Sequence, residues 1–210
     1  MSGRMVIEQM TEKQTRNISN YPLKALGKHE HVIFSVGNGT IIRFIDPRRF
    51  GLMVLTTEGE LRGHPLLSSI GPEPLEEEFH APGLAGSLKG RRMPIKTALL
   101  DQRFVAGLGN IYVCESLFEA GLSPRRKAYT VQKERAVRLV KAIKEVLIQA
   151  VAVGGSTIQD HISPSGEIGY FQNQLKVYGL EGAPCSVCQI PIKRILQSGR
   201  STFFCSGCQR

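Results

Sequence analysis

Apolar and polar positions alternate with the period of a β-strand over the first third of the chain. HVIFSVGNGTIIRFID alternates on both sides of Gly37-Asn38-Gly39, which predicts two strands joined by a tight hairpin. RRFGLMVLTT reads as a further strand, so Arg4 to about Leu61 is predicted to be mostly β. The alternation lapses between Gly63 and Gly83, where GPEPLEEEFHAPG, rich in Pro and Glu, reads as a linker. Helical spacing follows. PIKTALLDQRFV opens on Pro94 at a first helical position, and NIYVCESLFEAG closes on Gly121 as a C-terminal cap. The longest predicted helix is TVQKERAVRLVKAIKEVLIQAVAVGG, with Thr130 as N-cap and Gly154-Gly155 as its stop. Val137, Val140, Ile143, Leu147 and Val151 form its expected apolar stripe, with Arg138, Lys141 and Lys144 facing out. A loop, SPSGEIGYFQ, leads to LKVYG and a terminal segment bearing paired cysteines. No internal repeat or low-complexity tract interrupts this order of β, then α, then a small cysteine module.

Composition narrows the class. An apolar fraction of 41% suffices for real cores, and no window is long or apolar enough to span a membrane. MSGRMVIEQM lacks the apolar core of a signal peptide, which leads to the expectation of a soluble cytoplasmic protein with no membrane partner. Lys and Arg total 27 against 18 Asp and Glu, a formal charge of +9. The excess is clustered: residues 89–103 carry five basic residues and one acid, and residues 125–144 carry eight and one. Clustered cations favour a polyanion, because each contact with a phosphate releases condensed counterions.

Five cysteines without a secretion signal argue against a disulfide framework. Cys185, Cys188, Cys205 and Cys208 form two C-x-x-C pairs 16 residues apart, the spacing of a closed structural Zn2+ shell; unligated thiols or a redox pair are the other reading. The metal would replace a core that so short a segment cannot build. Lys193, Arg194 and Arg200 between the pairs, with no acid from Gly182 onward, predict a cationic hairpin tip. Cys114, in an apolar helix, reads as a buried thiol. The GLGN of FVAGLGNIYVCESLF is not a dinucleotide fingerprint, since Tyr112 holds the third glycine position and a helix precedes it. It is either a phosphodiester contact at the next helix's start or a plain interhelical corner capped by Asn110. DPRRFG puts two arginines beside Phe50 in a turn. That ring either wedges between base pairs or packs inward. His29 and His31 form an H-x-H on a strand, candidates for DNA contact, surface histidines or metal ligands.

MSGR, KHEHV, DPRRFG, IGPEPL, IKTALLDQRFVAGLGNIYVCESLFEAGLSP, GEIGYFQ, KVYG and the four-cysteine hairpin fall in the order seen in the formamidopyrimidine-DNA glycosylases. The chain resembles that family over nearly all its length. The endonuclease VIII branch shares the helix-two-turn-helix and the finger, but DPRRFG and SGEIGYFQ favour the former. The resemblance implies an α+β protein: a remnant of an N-terminal β-sandwich (1–64), a linker (65–83), a helix-two-turn-helix DNA-binding domain (84–180) and a four-cysteine β-hairpin zinc finger (181–210). It implies a nucleoid-associated monomer that acts on duplex DNA carrying oxidised purines or abasic sites. Such enzymes flip out 8-oxoguanine or a formamidopyrimidine, excise it and cut the strand by β/δ-elimination. Met1, Arg48 and Phe50 match the residues that fill the gap. His29, Arg48 and Arg91 match DNA contacts, and Lys96, Asn110 and Arg200 match phosphate-binding positions. Arg200 also matches the proton donor of the second elimination, and Ser163 to Tyr170 the loop over the extruded base.

At its start the chain departs from the family pattern. The family's nucleophile is an N-terminal proline amine followed by a catalytic glutamate, a pair suited to attack at C1′ and to ring protonation. Met-Ser-Gly-Arg instead matches a motif well inside the family's N-terminal domain. Pro72-Glu73 is internal and has no free amine. The expectation is that the nucleophile, the main acid and the β-elimination lysine lie outside these 210 residues, leaving the β-domain with open edges. Three readings compete: a start set downstream of the true one, a non-catalytic zinc-dependent DNA binder, or a substitute amine. A generic RNA-binding zinc protein is the distant alternative.

Overall fold

The alternating stretch at the start of the chain forms a three-stranded antiparallel sheet in a computed structural model that describes residues 3–9, 27–37, 39–61, 63–155 and 171–210. The chain divides into two units, Met1–Leu55 with Gly154–Gln172, and Thr56–Val153 with Asn173–Arg210. Met1 and the loop from Ser163 to Tyr170 lie outside the described residues.

In the first unit β1 (Arg4–Gln9), β2 (Glu30–Val36) and β3 (Thr40–Ile45) lie in the order β1-β3-β2. Val36 pairs with Thr40, so residues 37–39 are the connection, and Gly39 takes φ 80° there, as the hairpin signal requires. Arg43 on the central strand ties both neighbours, reaching Glu8 at 3.1 Å and Glu30 at 3.2 Å. The register breaks between Glu30 and Val32, and His29 has φ 71°, so the two histidines of the H-x-H do not share one strand face. RRFGLMVLTT departs from expectation: residues 51–57 join no ladder among the described residues, and Leu55 is 99% exposed. Alternation gives a strand its faces, but hydrogen bonds to a neighbour make it a strand.

The second unit packs α1 (Glu58–Leu61), α2 (Ala81–Leu88), α3 (Ile95–Leu99), α4 (Asn110–Glu119) and α5 (Glu134–Ala152) ahead of a terminal hairpin. Leu84, Leu88, Ile95, Leu99, Leu108, Leu117, Leu139 and Ile143 build its core. The Pro- and Glu-rich stretch contributes to that core through Phe79 and then forms α2, whose N-cap is the His80 side chain accepting from Gly83 N at 3.0 Å. Helix α5 begins four residues after Thr130, not at it. Thr130 lies in a 3-10 turn with its hydroxyl donating to Lys127 O, while Val131 plunges into the core before the helix starts. The buried face of α5 is Ala136, Leu139, Val140, Ala142, Ile143, Val146 and Ala150; Val137 and Val151, expected in the stripe, are exposed. The stop is as read, with Gly154 at φ 75° after the last turn. Among the described residues no helix is long and apolar enough to cross a membrane.

The terminal hairpin is β4 (Lys193–Gln197) and β5 (Arg200–Phe204), turned by Ser198 and Gly199 at φ 49° and 72°. Cys114 and Phe118 of α4 pack against Val177, Ile192 and Phe203, so finger and helix share one small core.

Candidate nucleic-acid interface and metal centre

The four paired cysteines converge. Their sulfur atoms all lie within 4.8 Å of one another, with Cys188 Sγ 3.3 Å from Cys205 Sγ and Cys185 Sγ 3.9 Å from Cys208 Sγ. Tetrahedral zinc with Zn–S bonds of ~2.3 Å needs sulfurs about 3.8 Å apart, so the donor set fits one structural Zn2+. Each knuckle makes the same turn: Gln189 N donates to Cys185 O and Gln209 N to Cys205 O. Burial opposes the Cys185 thiolate, yet the N–H groups of Cys188 and Val187 and neighbouring thiols bring its pKa down to about 7. Cys208, crowded first by Cys188 and then by burial, is pushed up to about 12. Crowded thiols that do not ionise independently are stabilised together by a divalent ion. Gly207 packs closely here: a Cβ would stand 2.7 Å from Ile190 Cδ1 and 3.1 Å from Cys188 Sγ, so the Ile190 side chain would have to shift.

Buried polar groups dock the finger on the helices. Lys96, on α3, is fully buried and donates from Nζ to Ser201 O at 3.0 Å and Thr202 Oγ1 at 2.7 Å. Asn110, first residue of α4, donates from Nδ2 to the same Ser201 carbonyl at 2.9 Å. One oxygen therefore receives donors from two helices, next to Arg200 in the chain. Behind it, Gln209 accepts from Cys205 N and donates to Leu122 O. At the tip Ser198 Oγ lies 3.2 Å from Thr97 Oγ1. Burial pushes the Lys96 pKa down, and the Arg200 charge acts in the same direction. Exposed Arg200 is thus tied through its neighbour Ser201 to the start of α4, where Gly109 offers no side-chain cap and the helix dipole is positive.

The loop between α3 and α4 is a built turn. Gln102 accepts from Gly107 N at 2.7 Å and donates to Leu108 O, and Gly107 has φ 69°. Gly71 and Pro72 bond to its backbone, and a Cβ on Gly71 would meet Arg103 O at 2.7 Å. The GLGN stretch is thus a helix–turn–helix corner that leads into the start of α4.

On the sheet unit, the DPRRFG turn is shaped by Asp46. Its carboxylate accepts from Gly51 N at 2.6 Å and Arg48 N at 3.2 Å, and the Gly51 N–H above all holds its pKa below the usual carboxylate value. A Cβ on Gly51 would strike the Phe44 ring. Phe50 is 68% exposed, with the Arg48 guanidinium 4.6 Å from its ring centre. The ring is not packed inward.

Several sequence expectations change at this level. Lys96, expected among the exposed cations of its basic stretch, is buried beneath the hairpin and spends its ammonium on β5. Of the three cations expected at the finger tip only Arg200 is there; Lys193 pairs with Phe204 at the cysteine end, and Arg194 meets Glu181 at 3.4 Å. Arg91 is exposed, its guanidinium 5.4 Å from the Phe104 ring centre. Cys114 is buried, and burial raises its pKa. Sequence reasoning passed over Glu115. Its buried carboxylate accepts from Lys176 N, Val177 N and Tyr178 N at 2.8–3.0 Å, pinning KVYG to α4. Burial raises its pKa against those three donors. The available signal was an acid in the middle of an apolar helix. Tyr178 in turn packs edge-on to Phe203 and receives Asn110 Nδ2 at 3.5 Å.

Residues 70–162 match the formamidopyrimidine-DNA glycosylase H2TH domain. The formamidopyrimidine-DNA glycosylase of Azorhizobium caulinodans is 50% identical, with all of this chain aligned to 74% of its length, and that of Ruegeria sp. TM1040 is 48% identical with the same coverage. Among solved structures, the MutM (Fpg) protein of Thermus thermophilus superposes with a TM-score of 0.84 at 41% identity, over the whole chain and 73% of that protein. Lactococcus lactis Fpg, solved in complex with abasic-site DNA, gives 0.84 at 32% identity over 72% of its chain. By descent and by fold, this chain belongs to the formamidopyrimidine-DNA glycosylase family.

Proposed function

We propose that the chain binds damaged duplex DNA, with oxidised purines and abasic sites as its lesions, and serves base excision repair. The observation that carries this is the Ser201 carbonyl held by Lys96 and Asn110, which fixes Arg200 beside the start of α4. In this reading Arg200 and Asn110 hold the phosphate at the lesion, and Lys96 fixes their geometry from beneath. Phe50 enters the gap left by the flipped base, with Arg48 and Met1 beside it. An exposed ring suits this, since stacking on bases offsets the cost of unstacking a step. His29 and Arg91 add backbone contacts, and Ser163 to Tyr170 covers the extruded base. Zn2+ holds the finger's shape and takes no part in bond breaking.

The chemistry proposed is that of a bifunctional glycosylase and abasic-site lyase. An amine displaces the base at C1′, the resulting iminium acidifies C2′–H, and β-elimination expels the 3′ phosphate. Arg200 then supplies the proton for δ-elimination. Support for this is the family membership and the match of Arg200. Borohydride trapping of the 210-residue chain on an abasic duplex, beside a binding assay on the same DNA, tests it. Hydride addition to the iminium yields a stable amine adduct if an amine of the chain condenses with the sugar aldehyde. Binding with no adduct replaces the catalytic reading with that of a zinc-dependent damage binder. No preference for abasic over intact DNA overturns both.

A further inference from the structure

The phosphate clamp does not use the second basic cluster of the sequence, and the fold gathers that cluster on one ridge. Residues 91–95 and 126–129 run side by side, joined by main-chain hydrogen bonds: Ile95 N to Arg126 O at 2.7 Å, Ala128 N to Met93 O at 2.9 Å, Tyr129 N to Arg91 O at 3.0 Å. Arg125 and Lys127 are exposed along it, the Arg125 guanidinium 5.6 Å from the Phe204 ring centre, and Tyr129 is 45% exposed. Arg135 and Arg138 stand exposed on the first turns of α5, with Arg135 Nη1 donating to Thr130 O at 3.4 Å. The guanidinium of Arg126 lies close enough to both that, after burial, their charges lower its pKa.

Helix α5 is electrically divided. In its later half Lys141 meets Glu145 at 3.7 Å and Lys144 donates to Glu76 O. Among the described residues, none of the six cations between Arg125 and Arg138 makes an ion pair with an Asp or Glu side chain. Arg126 turns its Nε to the Arg210 main-chain oxygen at 3.2 Å and is left out of the exposed set. The positive end of the α5 dipole falls in the same place. Six cations with one acid, Glu134, among them repel one another, which opposes folding, and the opposition is relieved when a polyanion arrives. The exposed cations are spread along a ridge, with no buried polar cradle, so a single small anion would meet only one or two of them. A rail of phosphates meets them all.

We infer that this ridge is a second contact for duplex nucleic acid, gripping the backbone away from the lesion through Arg125, Lys127, Arg135 and Arg138 with Tyr129 among them. The inference rests on the DNA-binding reading above and extends it from the lesion to the flanking helix. Such a contact adds affinity without sequence or damage specificity and supports sliding.

The test is the triple variant Lys127→Gln/Arg135→Gln/Arg138→Gln of the full chain, with zinc content and circular dichroism checked against the parent. Binding is measured against salt on a duplex of roughly 12 base pairs centred on an abasic site and on one of roughly 40, long enough to reach past the lesion contacts. On the long duplex the variant is expected to lose about tenfold or more in affinity, with its log–log salt slope reduced by about 2–3. On the short duplex both quantities should stay at parent values. Unchanged binding to the long duplex overturns the inference, and so does an equal loss on both. Failure of the lesion reading shows elsewhere, as a parent that does not prefer abasic to intact short duplex.

Discussion

The two regions that face DNA in this reading are built by opposite means. At the finger, exposed Arg200 rests on buried polar groups: Lys96, Asn110 and Thr202 below, Gln209 and the cysteines behind. At the DPRRFG turn, exposed Phe50 rests on one buried carboxylate, Asp46, in a small sheet whose only fully buried apolar side chain among the described residues is Ile41. The finger is pre-organised by many bonds that each need every partner. The turn depends on one residue and a steric requirement for glycine. A buried network fixes geometry at the risk of failing as a whole; a local turn fails alone.

Removing the metal should break the finger side first and most. Chelation, or Cys205→Ser, is expected to abolish zinc binding and DNA binding together, since metal affinity is folding free energy in such modules. Far-UV signal from the helices should largely persist. Retained DNA affinity after complete zinc loss would contradict this. Next in size is Glu115→Ala. Three N–H groups lose their acceptor, that of buried Val177 at about 1–3 kcal/mol, so the thermal midpoint should fall by several degrees, with Glu115→Gln losing less. Equal stability of Glu115→Ala and parent would remove its anchoring role.

On the turn side effects are smaller and confined to function. Phe50→Ala should leave thermal stability within about 0.5 kcal/mol, as for exposed sites, while weakening the preference for abasic over intact duplex. An unchanged preference would return Phe50 to an ordinary surface ring. Smallest is a pH effect at Asp46. Its folded pKa lies below the unfolded value of 3.8, so its contribution is fully present above that value and lost as pH falls through the folded pKa. Asp46→Asn should therefore flatten the stability change below about pH 4, and be otherwise mild. An identical acid profile in the variant would show that the carboxylate charge does not hold the turn.

Legibility in the sequence followed the range of the interactions. The hairpin at Gly37–Gly39, the stop of α5 at Gly154 and the C-x-x-C pairs were readable because turn chemistry and ligand spacing are local. RRFGLMVLTT was misread as a strand because alternation carries no information about a ladder partner. The centre of the α5 stripe, Val140 and Ile143, is buried as read, but its ends were misplaced because Val137 and Val151 are apolar without being buried, while Ala136 and Ala150 are small enough to pack closely against the core. The role of Lys96 was invisible for a third reason. A lysine in a basic stretch reads as a solvent cation, and only contacts more than a hundred residues away, at Ser201 and Thr202, take it inside. Glu115 was hidden in the same way by its partners at 176–178.

The most direct test of the account is the salt dependence of abasic-duplex binding by Arg200→Ala and Lys96→Met beside the parent, each with zinc bound. If Arg200 holds a phosphate and Lys96 only positions it, Arg200→Ala should lower the salt slope by about 1, while Lys96→Met keeps the parent slope and loses affinity. A slope unchanged in Arg200→Ala would contradict the phosphate clamp, and a slope lowered in Lys96→Met would return that lysine to the DNA.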